Sequence, residues 1–155
     1  MDDWIIIYTT DHGEMLGEHA IWEKQRFFEG SARIPLMIRY PNRISPSRCD
    51  KNVNLIDLFP TLCDLCGLEI PDNLDGRSLL PLLNKDEMSW ENVTYSQYRE
   101  NYVMIKKDDL KYQWYGDDQS EILFDLKRNP SETENYIHQE VYKEDVLFFR
   151  KGSVK

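Results

Sequence analysis

The chain has 155 residues, with 19 Lys and Arg against 28 Asp and Glu, so its formal net charge is −9. This acidic balance excludes a basic surface for a phosphate backbone, and no nucleic-acid partner is expected. The longest apolar run, Trp4 to Tyr8, is far shorter than the roughly 20 residues of a membrane helix, so no membrane partner is expected.

Residues 1–85 alternate apolar runs with polar loops, which is typical of an α/β architecture. Trp4–Thr9 is a continuous β-branched and aromatic run that predicts a buried, parallel strand. Ile34–Arg39 predicts a second strand, stopped by Pro41. The polar segment between these strands is expected at the edge of the sheet, where active sites of α/β proteins lie.

A helix is predicted after the second strand. Asn54 is a suitable N-cap, and apolar residues recur at helical spacing from Leu55 to Cys66, ending at Gly67. Because Pro60 interrupts this pattern, the helix is expected to be kinked or to begin near it.

Residues 86–155 predict a separate small subdomain. Four short β segments are expected to form an antiparallel sheet, with the turn of one hairpin at Lys106–Asp109, followed by a terminal helix from Tyr136 to Arg150. The four predicted strands are Thr94–Tyr98, Tyr102–Ile105, Leu110–Trp114 and Ile122–Phe124.

The three cysteines are too few for a disulfide scaffold, which favours a reducing compartment such as the cytoplasm. Cys63 and Cys66 have the CxxC spacing of zinc and redox sites, but no second such pair accompanies them. Two small apolar residues on one face of a helix are the simpler interpretation.

Asp11 and His12 stand side by side where the first predicted strand ends, and Gly13 and Gly17 allow tight turns after them. An oxygen and a nitrogen donor in this position are typical of metal-ligand chemistry, although Asp and Gly are also ordinary turn residues. A hard divalent cation needs more oxygen ligands than this pair supplies, so the others must come from elsewhere.

The run Thr10-Asp-His-Gly-Glu-Met-Leu-Gly-Glu-His19, continued by Trp22-Glu-Lys24 and Phe27–Leu36, resembles the second signature block of the sulfatases, members of the alkaline phosphatase superfamily. Within this family, the segment Phe27-Phe-Glu-Gly-Ser-Ala-Arg33 is most similar to choline-sulfatase-like enzymes. Three later segments also resemble sulfatase sequences: Asn54–Leu62, Asp75–Leu83 and Leu123–Glu132. This resemblance implies the C-terminal part of an alkaline-phosphatase-like α/β sandwich with a small antiparallel four-stranded C-terminal sheet and a terminal helix.

The resemblance also implies roles for individual residues. Asp11 and His12 would be ligands of a divalent cation, usually calcium, and Lys24 would hold a sulfate oxygen and balance charge on the leaving group. A solvated surface lysine remains the alternative for Lys24. His19 could reach the substrate or act as an acid, or it could have no catalytic role. Glu29 is expected to form a structural ion pair with Arg33 that supports the loop.

Enzymes of this family use a formylglycine nucleophile made within a Cys/Ser-x-Pro-x-Arg motif, and no such motif occurs in this sequence. The formylglycine is therefore expected in an N-terminal part of a longer enzyme, with this chain as its C-terminal segment. Alone, the apolar strands would be exposed, so association of the chain, including a homo-oligomer, is expected.

The leading hypothesis is a sulfuric ester hydrolase acting on a small sulfate ester such as choline-O-sulfate. A phosphonate monoester or phosphodiester hydrolase of the same superfamily is the enzymatic alternative, because a metal and a lysine accommodate a phosphoryl group equally well. A non-catalytic truncated remnant is the alternative outside catalysis, since the nucleophile is missing.

Overall fold

The computed structural model describes residues 3–153, which form two compact units. One unit comprises the described residues up to Asp11 together with Ile34–Asn92, and the other comprises His12–Arg33 with the described residues from Val93 onward. Residues 12–33 thus share a unit with the C-terminal sheet. Residues 1, 2, 154 and 155, at the outer ends of the predicted segments 1–85 and 86–155, lie outside the described residues.

The first unit contains a two-stranded sheet of β1 (Ile6–Thr9) and β2 (Leu36–Arg39). The strands pair antiparallel, so the predicted parallel arrangement is wrong. An apolar run indicates burial but not direction, and the residues connecting β1 to β2 contain no helix longer than the single turn α1 (Glu29–Ala32). The predicted burial of β1 is also wrong for this chain, because its residues and those of β2 alternate between exposed and half-buried, with Tyr8 and Met37 keeping 59% and 58% of their surface exposed.

The predicted helix forms α2 (Leu58–Cys66), entered through a 3₁₀ turn at Leu55–Asp57. A capping box closes the start of this 3₁₀ turn: the Asn54 side chain accepts a backbone N–H, and the Asn54 N–H donates to Asp57 Oδ2 at 2.8 Å. Pro60 falls in the first turn of α2, where its missing N–H costs nothing. Gly67 ends the helix in the left-handed conformation, at a φ of 68°.

The remainder of this unit is held by a short helix and a small core. Helix α3 (Leu80–Leu83) brings Leu79 and Leu82 against Trp90. The three cysteines are free, with Cys63 buried and Cys66 exposed on α2, so within residues 3–153 the CxxC spacing makes no disulfide.

The second unit contains the predicted four-stranded antiparallel sheet in the order β3-β4-β5-β6. Its strands are β3 (Val93–Tyr98), β4 (Tyr102–Lys107), β5 (Leu110–Tyr115) and β6 (Ser120–Asp125). A stacked pair, Tyr112 on β5 and Phe149 on the terminal helix, lies at the centre of its core, with ring centroids 5.4 Å apart. The mixed α/β class, the four-stranded sheet and the terminal helix are therefore confirmed.

The terminal helix α4 (Lys143–Gly152) begins seven residues later than predicted, after a 3₁₀ turn at Glu140–Tyr142. Asn135 explains the delay, since its Oδ1 accepts the N–H groups of Leu123 and Ile137 at 2.9 and 3.0 Å. The residues before the helix are thereby tied to β6 instead of continuing a helical pattern. None of the helices in residues 3–153 has the length and apolar character that crossing a membrane requires.

Candidate functional site

The segment 12–33 is a loop whose two arms are joined by one serine of α1. Ser31 is 5% exposed, and its carbonyl oxygen accepts the Gly13 N–H at 2.8 Å while its hydroxyl donates to the Lys24 carbonyl at 2.6 Å. The close approach requires glycine at position 13, because a Cβ there would collide with the backbone carbonyl of Gly30. A single residue thus fixes the main chain beside His12 and at Lys24.

The middle of this loop holds an unfavourable backbone conformation. Leu16, His19 and Ala20 have φ angles of 50°, 52° and 58°, a region that costs a side-chain-bearing residue roughly 1–2 kcal/mol. Main-chain hydrogen bonds maintain this conformation: the Gly17 N–H donates to the Ile21 carbonyl at 2.9 Å, and the Ala20 N–H donates to the Gly17 carbonyl at 3.1 Å. Such strain concentrates at functional sites, where the surrounding structure determines the conformation.

His12 is half-buried, and its ring orientation is fixed locally. Nδ1 lies 2.7 Å from the Gly13 carbonyl oxygen, which can only accept, so Nδ1 carries the proton. This tautomer presents its lone pair at Nε2, the form in which histidine ligates a metal ion. The geometry of His12 therefore fits the predicted ligand role.

Asp11 belongs to the other unit, where it is exposed beyond the end of β1. The Thr10 hydroxyl donates to its Oδ1 at 3.2 Å. Within residues 3–153 no three His, Cys, Asp or Glu side chains form a group that could hold a metal ion. Calcium takes six to eight oxygen ligands, so the metal-ligand roles of Asp11 and His12 stay a prediction.

Lys24 is exposed, and its ammonium group makes no ion pair with any residue of the described range 3–153. Its neighbours Ala20, Ile21, Trp22, Glu23, Gln25 and Arg26 line an open recess of about 300 Å³, and Lys24 itself is not among the lining residues. Trp22 exposes 73% of its surface there. A fixed main chain, an unpaired cation and an exposed indole are together suited to an anionic ligand with an apolar or saccharide portion.

His19 stacks on Phe28, with ring centroids 3.9 Å apart and planes at 10°. Phe28 in turn lies 5.9 Å from the Phe124 ring on β6. This stacking gives His19 a positional role in the loop. Its catalytic role stays a prediction.

A buried ion cluster behind the loop was not foreseen from the sequence. The ammonium group of Lys111 on β5 is fully buried and lies 2.7 Å from Glu29 Oε1 and 2.8 Å from Glu132 Oε1. Glu132 is 4% exposed, and Lys106 on β4 reaches Glu29 at 3.7 Å. We call Glu29, Lys111 and Glu132 the Lys111 cluster.

The cluster keeps Glu29 ionised. Burial by itself would raise the pKa of Glu29, but the charge and hydrogen bond of Lys111, aided by Lys106 and Arg33, outweigh it and lower that pKa. The predicted Glu29–Arg33 pair is present but long, at 3.9 Å, and Arg33 is 75% exposed there. The main partner of Glu29 is therefore Lys111, 82 positions along the sequence, where no local spacing could indicate it.

Sequence comparison places this loop and sheet in one family. Residues 17–151 match the family described as N-sulphoglucosamine sulphohydrolase, C-terminal. An arylsulfatase of Clostridium perfringens is 32% identical over the whole chain, which covers 34% of that protein. A choline-sulfatase of Rhizobium meliloti is 39% identical over 87% of the chain and 27% of its own length. The chain thus spans about a third or less of the length of these curated relatives.

Solved structures give the same placement. A protein crystallised with its substrate D-glucosamine-2-N,6-O-disulfate superimposes with a TM-score of 0.82 at 29% identity, over 97% of this chain and 34% of that one. A phosphonate monoester hydrolase of Agrobacterium radiobacter superimposes with a TM-score of 0.81 at 29% identity, with the same coverage. With a family match over most of its length and sulfatases among its relatives, the chain belongs to the sulfatase family, as the C-terminal portion of such a protein.

Proposed function

We propose that this chain carries the cation-binding and sulfate-binding loop of a sulfuric ester hydrolase whose formylglycine nucleophile lies in an N-terminal portion. The observation that carries the proposal is the Ser31 junction, which fixes the main chain at Gly13 and at Lys24. A loop held at both arms fixes the main chain from which the exposed Lys24 side chain projects, which helps to position its ammonium group for an anion.

Asp11 and His12 are the proposed ligands of a divalent cation, expected to be calcium. The carboxylate of Asp11 and the Nε2 lone pair of His12 are donors suited to a metal ion. When bound, such a cation polarises the ester oxygens and stabilises negative charge that develops on them.

Lys24 is the proposed catalytic cation of this chain. Its ammonium group would donate to a sulfate oxygen and offset the negative charge that grows on the leaving-group oxygen as the ester bond breaks. Because Lys24 makes no ion pair within the described residues, no rearrangement of an existing pair is needed to bind the anion.

The substrate is proposed to be a small sulfate ester. Choline-O-sulfate is favoured by the 39% identity to a choline-sulfatase. An N-acetylglucosamine-6-O-sulfatase of Bacteroides thetaiotaomicron, 32% identical over 92% of the chain, makes a saccharide sulfate the second substrate to assay.

A phosphonate monoester hydrolase is a second candidate function, favoured by the likeness to that enzyme of Agrobacterium radiobacter. A sulfate and a phosphonate monoester present similar tetrahedral anions, and a lysine with a divalent cation can bind either.

The test is steady-state kinetics of the full-length protein with 4-nitrophenyl sulfate, choline-O-sulfate and a phenyl phosphonate monoester. A sulfatase should show the higher kcat/KM with a sulfate ester, and Lys24→Ala should lower it about 10²- to 10³-fold, as the loss of a charge-stabilising donor does. Lys127→Ala removes an exposed lysine elsewhere in the same unit and serves as the matched control. Preference for the phosphonate would support the second candidate, and equal activity of Lys24→Ala and Lys127→Ala would reject the role of Lys24.

A further inference from the structure

The Lys111 cluster lies directly behind the first turn of α1. Glu132 Oε2 accepts the backbone N–H of Glu29 at 2.6 Å, while Glu132 Oε1 accepts the ammonium group of Lys111 at 2.8 Å. The same ammonium group binds the Glu29 side chain at 2.7 Å. Glu29, the first residue of α1, is therefore held by both its main chain and its side chain.

α1 transmits this constraint to the loop within two residues. Ser31 follows Glu29 in the same helical turn, and its hydroxyl and carbonyl groups hold Lys24 and Gly13. A four-residue helix has too few internal hydrogen bonds to fix itself, so its position depends on its external contacts. The contacts that anchor its first residue are those of the Lys111 cluster.

Glu132 itself is held in an unusual conformation. Its φ of 52° lies in the left-handed region, and its N–H donates to the Asn129 carbonyl at 3.1 Å. Strain of this kind persists only where surrounding contacts maintain it. The two contacts of its carboxylate are both with the Glu29–Lys111 pair.

A buried lysine between two carboxylates needs all three members, because loss of one leaves an uncompensated charge away from water. The cluster joins β5 and the segment after β6 to the loop that carries Lys24. Hydrophobic packing in place of the cluster could stabilise the fold. Directional hydrogen bonds and ion pairs to the first residue of α1 also set the position of that helix.

We propose that Glu29, Lys111 and Glu132 are positioning residues that set the place of Lys24 through α1 and Ser31. They act through Ser31 and Lys24, without touching substrate or metal. The inference rests on the proposed function, because it assigns a role in placing the catalytic lysine of that function.

The test is a double-mutant cycle in the full-length enzyme. Glu29→Gln keeps the shape of the side chain and the main-chain bond to Glu132 but removes the charge facing Lys111. It should lower kcat/KM for 4-nitrophenyl sulfate by about 10- to 100-fold, the scale of a misplacement near 1 Å. In a Lys24→Ala background the same change should cost less than about threefold, since no ammonium group remains to be misplaced.

A second readout does not depend on turnover. Inorganic sulfate binding, measured by titration calorimetry of the full-length protein, should weaken in Glu29→Gln and in Ser31→Ala. Either change combined with Lys24→Ala should bind sulfate about as weakly as Lys24→Ala alone. Ser31→Ala removes the hydroxyl that donates to the Lys24 carbonyl while leaving the cluster intact.

Glu121→Gln is the matched control. It weakens the ion pair between Glu121 on β6 and Arg150 on α4 at 2.6 Å, and the bond that the Tyr112 hydroxyl donates to Glu121 at 2.6 Å, neither of which involves a residue of α1. It should lower stability without changing kcat/KM or sulfate binding.

The outcomes separate the two claims. If Lys24→Ala leaves turnover and sulfate binding unchanged, the proposed function fails. If Lys24→Ala lowers both but Glu29→Gln leaves them unchanged, or lowers them equally with and without Lys24, the cluster is merely structural and the inference is overturned.

Discussion

Replacing Lys111 with Met should destabilise the protein by about 3–5 kcal/mol at pH 7, because removing one partner of a buried ion pair leaves buried charge unpaired. Lys111 is fully buried and faces carboxylates at 2.7 and 2.8 Å, so both would lose their main counter-charge. Lys106, at 3.7 Å from Glu29, would compensate part of the lost charge. The lower half of that range is therefore expected.

The loss of stability in Lys111→Met should depend on pH. In the wild-type protein the pKa of Glu29 is lowered, chiefly because Lys111 outweighs the effect of burial, so its ion pair contributes stability above the ordinary pKa of glutamate. That contribution disappears as the pH falls through the lowered pKa. In Lys111→Met the counter-charge is gone, so burial should raise the pKa of Glu29. As the pH falls, Glu29 then takes up a proton and its unpaired buried charge disappears. The difference in unfolding free energy should thus be largest at pH 7 and shrink toward pH 4.

Urea unfolding of the full-length protein at several pH values measures this difference, with Lys127→Met as the exposed-lysine control. The triple variant Glu29→Gln, Lys111→Met, Glu132→Gln should be more stable than Lys111→Met at pH 7, because it carries no buried charge. A loss below about 1 kcal/mol, or one that stays constant from pH 7 to pH 4, would refute the reasoning.

Three further predictions concern the cap, the loop and the exposed strands. Asn54→Ala should cost about 1 kcal/mol in unfolding free energy, through loss of the capping box at the 3₁₀ turn that leads into α2, and urea unfolding should show a lower midpoint with an unchanged slope. Gly13→Ala should lower turnover at least as much as Ser31→Ala, because a Cβ at that position displaces the Gly30 carbonyl; wild-type kinetics would contradict the required close approach. The 155-residue chain expressed alone should associate in sedimentation velocity, because Trp4 and Tyr8 expose 69% and 59% of their surface, whereas a sharp monomer peak would argue against this.

Most secondary-structure elements could be predicted because their signals are local. The cap at Asn54, the left-handed stop at Gly67 and the hairpin turn before Leu110 each depend on residues a few positions apart. The pairing direction of β1 and β2 could not be predicted, since an apolar run carries no information about the strand beside it.

From the sequence, candidate site residues could be named only where a local pattern or the resemblance to a family indicates them. Asp11 and His12 follow a strand, and the resemblance to sulfatases assigned Lys24 a role. The contacts that hold the loop, from Lys111 and Glu132, come from positions 82 and 103 residues beyond Glu29 and depend on the tertiary fold. A fully buried lysine also runs against the usual exposure of that residue type, so composition argued against such a role.

The most direct test of the central claim, that this chain is the lysine-bearing portion of a working sulfatase, is the intact mass and peptide map of the native polypeptide that contains it. The share of the arylsulfatase covered by this 18.5 kDa chain corresponds to a product of about 54 kDa. We expect a product near that mass, with a Cys/Ser-x-Pro-x-Arg peptide whose first residue has the mass of formylglycine. A native product of 18.5 kDa, or a longer one without that modification, would contradict the claim and favour a non-catalytic remnant.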